Sequence, residues 1–70
     1  MRYFFDVIDN GFPFIDVEGK ELPDEIAAVA EARQRALHQG EAKRRKGSVP
    51  SGRIRLRDET GQIIEDVPID

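Results

Sequence analysis

The sequence has no cysteine and no tryptophan, and only one histidine, one tyrosine and one methionine among its 70 residues. Without cysteine there is no disulfide framework, no thiol nucleophile and no cysteine-ligated zinc. The lone histidine, His38, leaves only carboxylates to complete a metal site, and it falls late in a helical pattern, off the apolar stripe. A solvated histidine near a helix C-terminus accounts for it. Long apolar runs are also missing, so nothing reads as a membrane span. Asp6 and Asp9 interrupt the opening apolar run before an export signal could form, which gives the expectation of a cytoplasmic protein. No glycine-rich phosphate loop follows a strand pattern. Ser48 and Ser51 have no base in the same stretch to activate them. The residues therefore offer no catalytic, cofactor-binding or metal-ligating set, and the expectation is a non-enzymatic protein without a cofactor.

What is present is charge and a lean core. Charged residues make up 36% of the chain and hydrophobic residues 39%. One domain of this length rarely draws more than ~3–5 kcal/mol from its core, and such chains often gain from a partner subunit. The formal net charge of −3 hides a segregation. Residues 1–32 carry two basic side chains against eight acidic, residues 33–57 nine basic against Glu41 alone, and residues 58–70 five acidic and none basic. A basic centre between acidic ends can attract an outside polyanion or neutralise itself.

The pattern predicts a single α+β domain, a two-layer ββαββ fold in which one helix packs on one face of a small antiparallel sheet of two hairpins. Residues 2–17 read as the first hairpin, rich in aromatic and β-branched residues around Asn10-Gly11, a preferred type I′ turn pair. A two-residue turn pairs Asp9 with Phe12, Val7 with Phe14 and Phe4 with Val17. One face then shows Tyr3, Phe5, Val7, Phe12 and Phe14 with Asp16 among them. The other shows Phe4, Ile8, Pro13, Ile15 and Val17 with Asp6. Both faces are mostly apolar, unlike a sheet with one solvated side. Pro23, Asp24 and Glu25 open a helix over about 23–40, ending at Gly40 or extended by Glu41 to Lys46. Its inward stripe is read as Leu22, Ile26, Val29, Ala30 and Leu37, with Arg33 snorkelling out between them. Residues 41–52 read as a basic linker. Residues 53–67 form the second hairpin, whose bulged turn at Gly61 sets Leu56 opposite Ile64 and Arg55 opposite Glu65.

Tyr3-Phe4-Phe5-Asp6, Asp16-Val17-Glu18-Gly19 and Glu21-Leu22-Pro23-Asp24 followed by an alanine-rich helix resemble a small family of alphaproteobacterial, rhizobial-type proteins known as a domain of unknown function. The Asp58-x-x-Gly61 hairpin is similar too, so the likeness covers most of the chain. The basic stretch at 43–46 and the Gly-Ser-Val-Pro-Ser segment depart from it. The resemblance implies kinship and brings no activity, cofactor or catalytic residue.

Two features carry functional readings. The apolar surplus of the first hairpin is more than one helix can cover, which points to self-association as a homodimer, or to another protein partner, through Tyr3, Phe5, Val7, Phe12 and Phe14. The alternative is that the C-terminal Val67, Pro68 and Ile69 cover it. Lys43, Arg44, Arg45, Lys46, Arg53, Arg55 and Arg57 are the candidates for nucleic acid or another polyanion, with a log–log salt slope of about −6 if all seven touched phosphates. No aromatic residue lies within 43–57 to stack on bases. Asp6 and Asp16, placed on opposite faces by the hairpin register, are not an acid–base pair; each is expected to pair with an arginine or a backbone N–H. The preferred expectation is a small accessory or protein-interaction module that self-associates, ahead of polyanion binding.

Overall fold

The structure is a computed structural model that describes residues 1–9 and 11–70. Among the described residues the order is β1 (Arg2–Asp9), β2 (Phe12–Phe14), β3 (Lys20–Glu21), α1 (Glu25–Arg45), β4 (Arg53–Arg57) and β5 (Ile63–Pro68). The strands form an open antiparallel sheet in the order β2-β1-β4-β5, with β3 also pairing β1, and α1 packs on one face. This is the expected α+β architecture with a short extra strand. The Asn10 half of the predicted turn lies outside the described residues; Gly11 has φ 80°, the sign that turn requires.

The first register holds where the turn fixes it, with Val7 opposite Phe14 and Asp9 opposite Phe12. It does not extend to Phe4 and Val17. The chain leaves the sheet after Phe14 and returns as β3, so the start of β1 pairs Arg2 with Glu21 and Tyr3 with Lys20. In the second hairpin Arg57 faces Ile63, in the expected register. A bulge then shifts the ladder by one, so that Leu56 faces Glu65 and Arg55 faces Asp66. The shift turns Val67 inward opposite Ile54, where it joins the core.

The largest departure is in the helix. Asp24 is its N-cap, accepting a hydrogen bond from the Ala27 N–H at 2.8 Å, so Pro23 precedes the cap. The helix runs through Gly40 and ends at Arg45, with Gly47 at φ 80° just past the Lys46 cap. Lys43, Arg44 and Arg45 are thus its last turn, and the predicted linker shrinks from 41–52 to 46–52. The buried face matches the predicted one only in part: Leu22 and Val29 pack against the core as expected. Ala28, Ala32, Ala36 and Gly40, spaced four apart, lie against the sheet, while Ile26 and Leu37 stay exposed. The sheet explains the choice. Tyr3, Phe5, Ile54 and Leu56 already fill the space between the layers, and small helix residues let the backbone come close enough to seal it. At Gly40 a Cβ would collide with the carbonyl oxygen of Asp70, so the C-terminal tail is packed onto the helix axis and Ile69 is buried.

Candidate interaction surfaces

Tyr3 and Phe5 belong to the face that the helix covers, and both are buried core residues of the single chain. They are therefore not available as the self-association surface the sequence suggested. Val7 is half-buried against the same core. Phe12 and Phe14, the remaining two of that set, are 74% and 71% exposed, because α1 lies over β4 and β5 and leaves β2 uncovered. Ile15 and Val17 follow them into solvent. Val67 and Ile69 are buried in the same core as Tyr3 and Phe5, and the tip of the first hairpin stays exposed.

A second apolar surface runs along the helix. Ile26 and Leu37 are 82% and 55% exposed. They wall two clefts that share Arg33. The first, of about 310 Å³, is lined by Glu25, Ile26, Val29, Ala30 and Arg33. The second, of about 250 Å³, is lined by Arg33, Ala36, Leu37, Val67, Pro68 and Asp70. The exposed members of this surface, Ile26, Ala30 and Leu37, belong to the stripe that periodicity picked out as the core, whereas Leu22 and Val29 of that stripe do pack against it. The apolar spacing was visible, and its exposure follows from the alanine face winning the contact with the sheet.

The uncovered face of the sheet is ionic. Alternation along β4 turns Arg53, Arg55 and Arg57 away from the helix, between acidic residues on both neighbouring strands. Arg55 holds Asp66 with two hydrogen bonds at 2.9 and 3.2 Å, and Arg53 lies 3.4 Å from the same carboxylate. The Arg55 guanidinium keeps the Asp66 carboxyl below its ordinary range. The expected partner, Glu65, is instead turned to the helix side by the bulge, where it lies 3.9 Å from Arg33. Arg57 grips Asp6, which is 2% exposed, through Nε at 2.6 Å and Nη2 at 2.9 Å, and stacks over the Phe4 ring. That bidentate bond raises the Arg57 pKa further.

Asp6 and Asp16, which sequence reasoning set on opposite faces, are brought together because the segment after β2 folds back rather than continuing the strand. The Asp16 N–H donates to Asp6 Oδ1 at 2.9 Å, and Arg57 also reaches the Asp16 carbonyl at 3.2 Å. The Asp16 carboxylate accepts from the N–H groups of Phe5, Gly19 and Glu18 at 3.0, 3.0 and 3.2 Å. Burial pushes its pKa up, but these donors outweigh burial and hold it below the ordinary value. Gly19 closes the turn with φ 71°, and a Cβ there would lie 2.8 Å from the Tyr3 carbonyl oxygen. Both carboxylates are thus occupied by internal donors, and the arrangement braces the 15–19 turn onto β1.

The basic run at the helix end is partly consumed in the same way. Lys43 donates to Asp9 Oδ2 at 2.5 Å and to the Ser51 carbonyl at 2.6 Å, while the Ser51 hydroxyl donates to Asp9 Oδ1 at 3.0 Å. The Lys43 ammonium holds Asp9 below its ordinary pKa. Arg44 donates to the Asp70 carbonyl at 2.6 Å. Arg45 makes an exposed contact to Glu41 at 3.6 Å. Of the seven predicted polyanion contacts, Lys43, Arg53, Arg55 and Arg57 therefore carry short internal ion pairs. Lys43 and Arg57 are the two whose partners no local spacing announced, since Asp9 lies 34 residues from the one and Asp6 51 from the other. No three His, Asp or Glu side chains converge as a metal-ligand set among the described residues, and no helix there is long and apolar enough to cross a membrane.

No curated protein and no solved structure matches the chain. A family model, Domain of unknown function (DUF6894), matches residues 2–70. That match takes in every strand, the helix and the Asp6–Asp16–Arg57 brace, and the chain belongs to this family.

Proposed function

We propose that this protein is a small, non-enzymatic interaction module that works as a homodimer. The observation that carries the reading is the amount of large apolar side chain left in solvent after the single chain has folded: Phe12 and Phe14 on β2, Ile26 and Leu37 on α1. A domain with so small a core gains more from covering such residues than a large one does. The carboxylates that might suggest acid–base chemistry, Asp6 and Asp16, support the non-enzymatic reading because internal donors already occupy them. Polyanion binding is the weaker reading. Lys43, Arg53, Arg55 and Arg57 would have to give up internal carboxylates to engage phosphates.

Sedimentation velocity from low micromolar to several hundred micromolar tests the proposal. The expected result is a mass-action shift from one chain to two. A single-chain mass across the whole range overturns it. Titration of duplex and single-stranded DNA at low salt separates the two readings. Binding that disappears when Lys43 to Lys46 are replaced by Ala, in a protein that stays monomeric, would favour the polyanion.

A further inference from the structure

We infer that the helix stripe, rather than the β2 tip, is the self-association surface, and that its occupant is the same stripe of a second copy running antiparallel; this rests on the homodimer reading above. The exposed positions Ile26, Ala30, Arg33 and Leu37 are spaced four, three and four apart, the alternation of a heptad seam. The cleft lined by Ile26, Val29, Ala30 and Arg33 has the i, i+3, i+4, i+7 outline of a hole that accepts one side chain from a facing helix. The second cleft repeats it one heptad on, with Arg33, Ala36 and Leu37 on the helix and Val67 and Pro68 closing the far side.

The pattern is complementary to its own reverse. With the two-fold axis passing midway between Ala30 and Arg33, Ile26 comes against the partner's Leu37 and Arg33 lies over the partner's Ala30. That methyl leaves room for the arginine stem, and Glu65 at 3.9 Å stays close to its guanidinium. Each large apolar knob thus meets the cleft wall formed by the other, and the same contact occurs twice, as a closed two-fold dimer requires.

Charge selects the direction. The helix opens with acidic Asp24 and Glu25 and closes with basic Lys43, Arg44 and Arg45. A parallel pair would stack like charge on like charge at both ends. An antiparallel pair avoids both repulsions, setting Glu25 near the partner's His38 and each basic closing turn past the partner's helix start, and it opposes the two helix dipoles. The β2 tip lacks this self-complementarity. Its edge strand carries Pro13, which has no N–H to contribute to pairing with another strand.

Sedimentation equilibrium on single and paired substitutions tests the inference. Ile26→Lys and Leu37→Glu are each expected to raise the dimer dissociation constant at least tenfold, with unchanged far-UV circular dichroism, because both side chains are solvent-exposed in the single chain. Combining Ile26→Lys with Leu37→Glu sets opposite charges across both layers only in the antiparallel pair, and dimerisation returns. Phe14→Ser leaves the constant within about threefold. If the native chain is monomeric throughout, both this inference and the homodimer reading fail. If the native chain dimerises but Phe14→Ser abolishes the dimer while Leu37→Glu does not, only this inference fails. Failure of the paired substitution to restore what each single one removes overturns the antiparallel alignment.

Discussion

Replacing Arg57 by Met leaves the Asp6 carboxylate almost wholly buried with one remaining donor, the Asp16 N–H, after losing two guanidinium hydrogen bonds of 2.6 and 2.9 Å. Removing one partner of a buried pair costs about 3–5 kcal/mol, mostly the cost of leaving the other charge uncompensated. The loss of the third donation, to the Asp16 carbonyl, adds roughly 1 kcal/mol. In a domain whose core supplies about 3–5 kcal/mol, Arg57→Met should therefore leave the chain largely unfolded at room temperature. Arg57→Lys restores charge without the two-pronged geometry and should fall between the two. Asp6→Asn combined with Arg57→Met should cost clearly less than the sum of the single changes, because neither partner is then left charged and alone. Urea unfolding followed by circular dichroism, repeated at two protein concentrations to separate folding from association, measures the native chain, the three single variants (Asp6→Asn included) and the double. A loss below about 1 kcal/mol for Arg57→Met would refute the assignment of the Asp6–Asp16–Arg57 brace as the main polar lock of the fold.

Three further outcomes follow from the same packing. Ala32→Leu forces a branched side chain between the helix and the sheet and should destabilise the fold by about 1–3 kcal/mol, whereas Leu37→Ala should change monomer stability by no more than about 0.5 kcal/mol; the reverse order in chemical denaturation would restore the face predicted from periodicity. Gly19→Ala must hold φ 71° and push against the Tyr3 carbonyl, and should lower stability by at least ~1–2 kcal/mol in the same assay. Asp9, Asp16 and Asp66 all have pKa values held down in the folded state, so the stability they contribute is present above the unfolded carboxyl value of about 3.9 and disappears as pH falls through the folded values. Unfolding midpoints should accordingly be flat near neutrality and drop below about pH 4, and Asp9→Asn should flatten that drop.

Local signals in the sequence located most elements and misplaced their ends. Spacing about Gly11 and about the short turn before Gln62 is enough to give Val7 opposite Phe14 and Arg57 opposite Ile63. Farther from each turn the outcome depends on contacts distant in sequence. Asp16 leaves the hairpin because β1 offers it the Phe5 N–H and because its own N–H reaches Asp6, an arrangement that needs Arg57 from another hairpin. The bulge near Arg57 is likewise set by what it achieves: Val67 enters the core and Asp66 meets Arg55. Gly40 and Gly47 are both plausible helix stops. The choice between them rests on the Asp70 tail, which needs the bare backbone of Gly40 for its close approach.

The helix shows why a correct apolar pattern gave only part of the interface, with Leu22 and Val29 on the core and Ile26 and Leu37 in solvent. Periodicity ranks faces by the hydrophobicity of their side chains, and on that measure Ile26 and Leu37 outrank Ala28, Ala32 and Ala36. Packing ranks them by the volume available. With Tyr3, Phe5, Ile54 and Leu56 projecting from the sheet, the space beneath the helix is already occupied, and a face of methyl groups brings the two layers into van der Waals contact where a leucine face would hold them apart. The same displacement acts on the first hairpin: a helix centred on β4 and β5 buries Tyr3 and Phe5 and cannot also reach Phe12 and Phe14. The apolar surplus that the composition announced is therefore real, but it is divided between the β2 tip and the outer side of the helix. The helix stripe has two clefts walled by its own exposed side chains. A solvent-facing heptad seam beside an alanine-lined core face is better explained as a contact surface than as excess core, because the fold has closed without it.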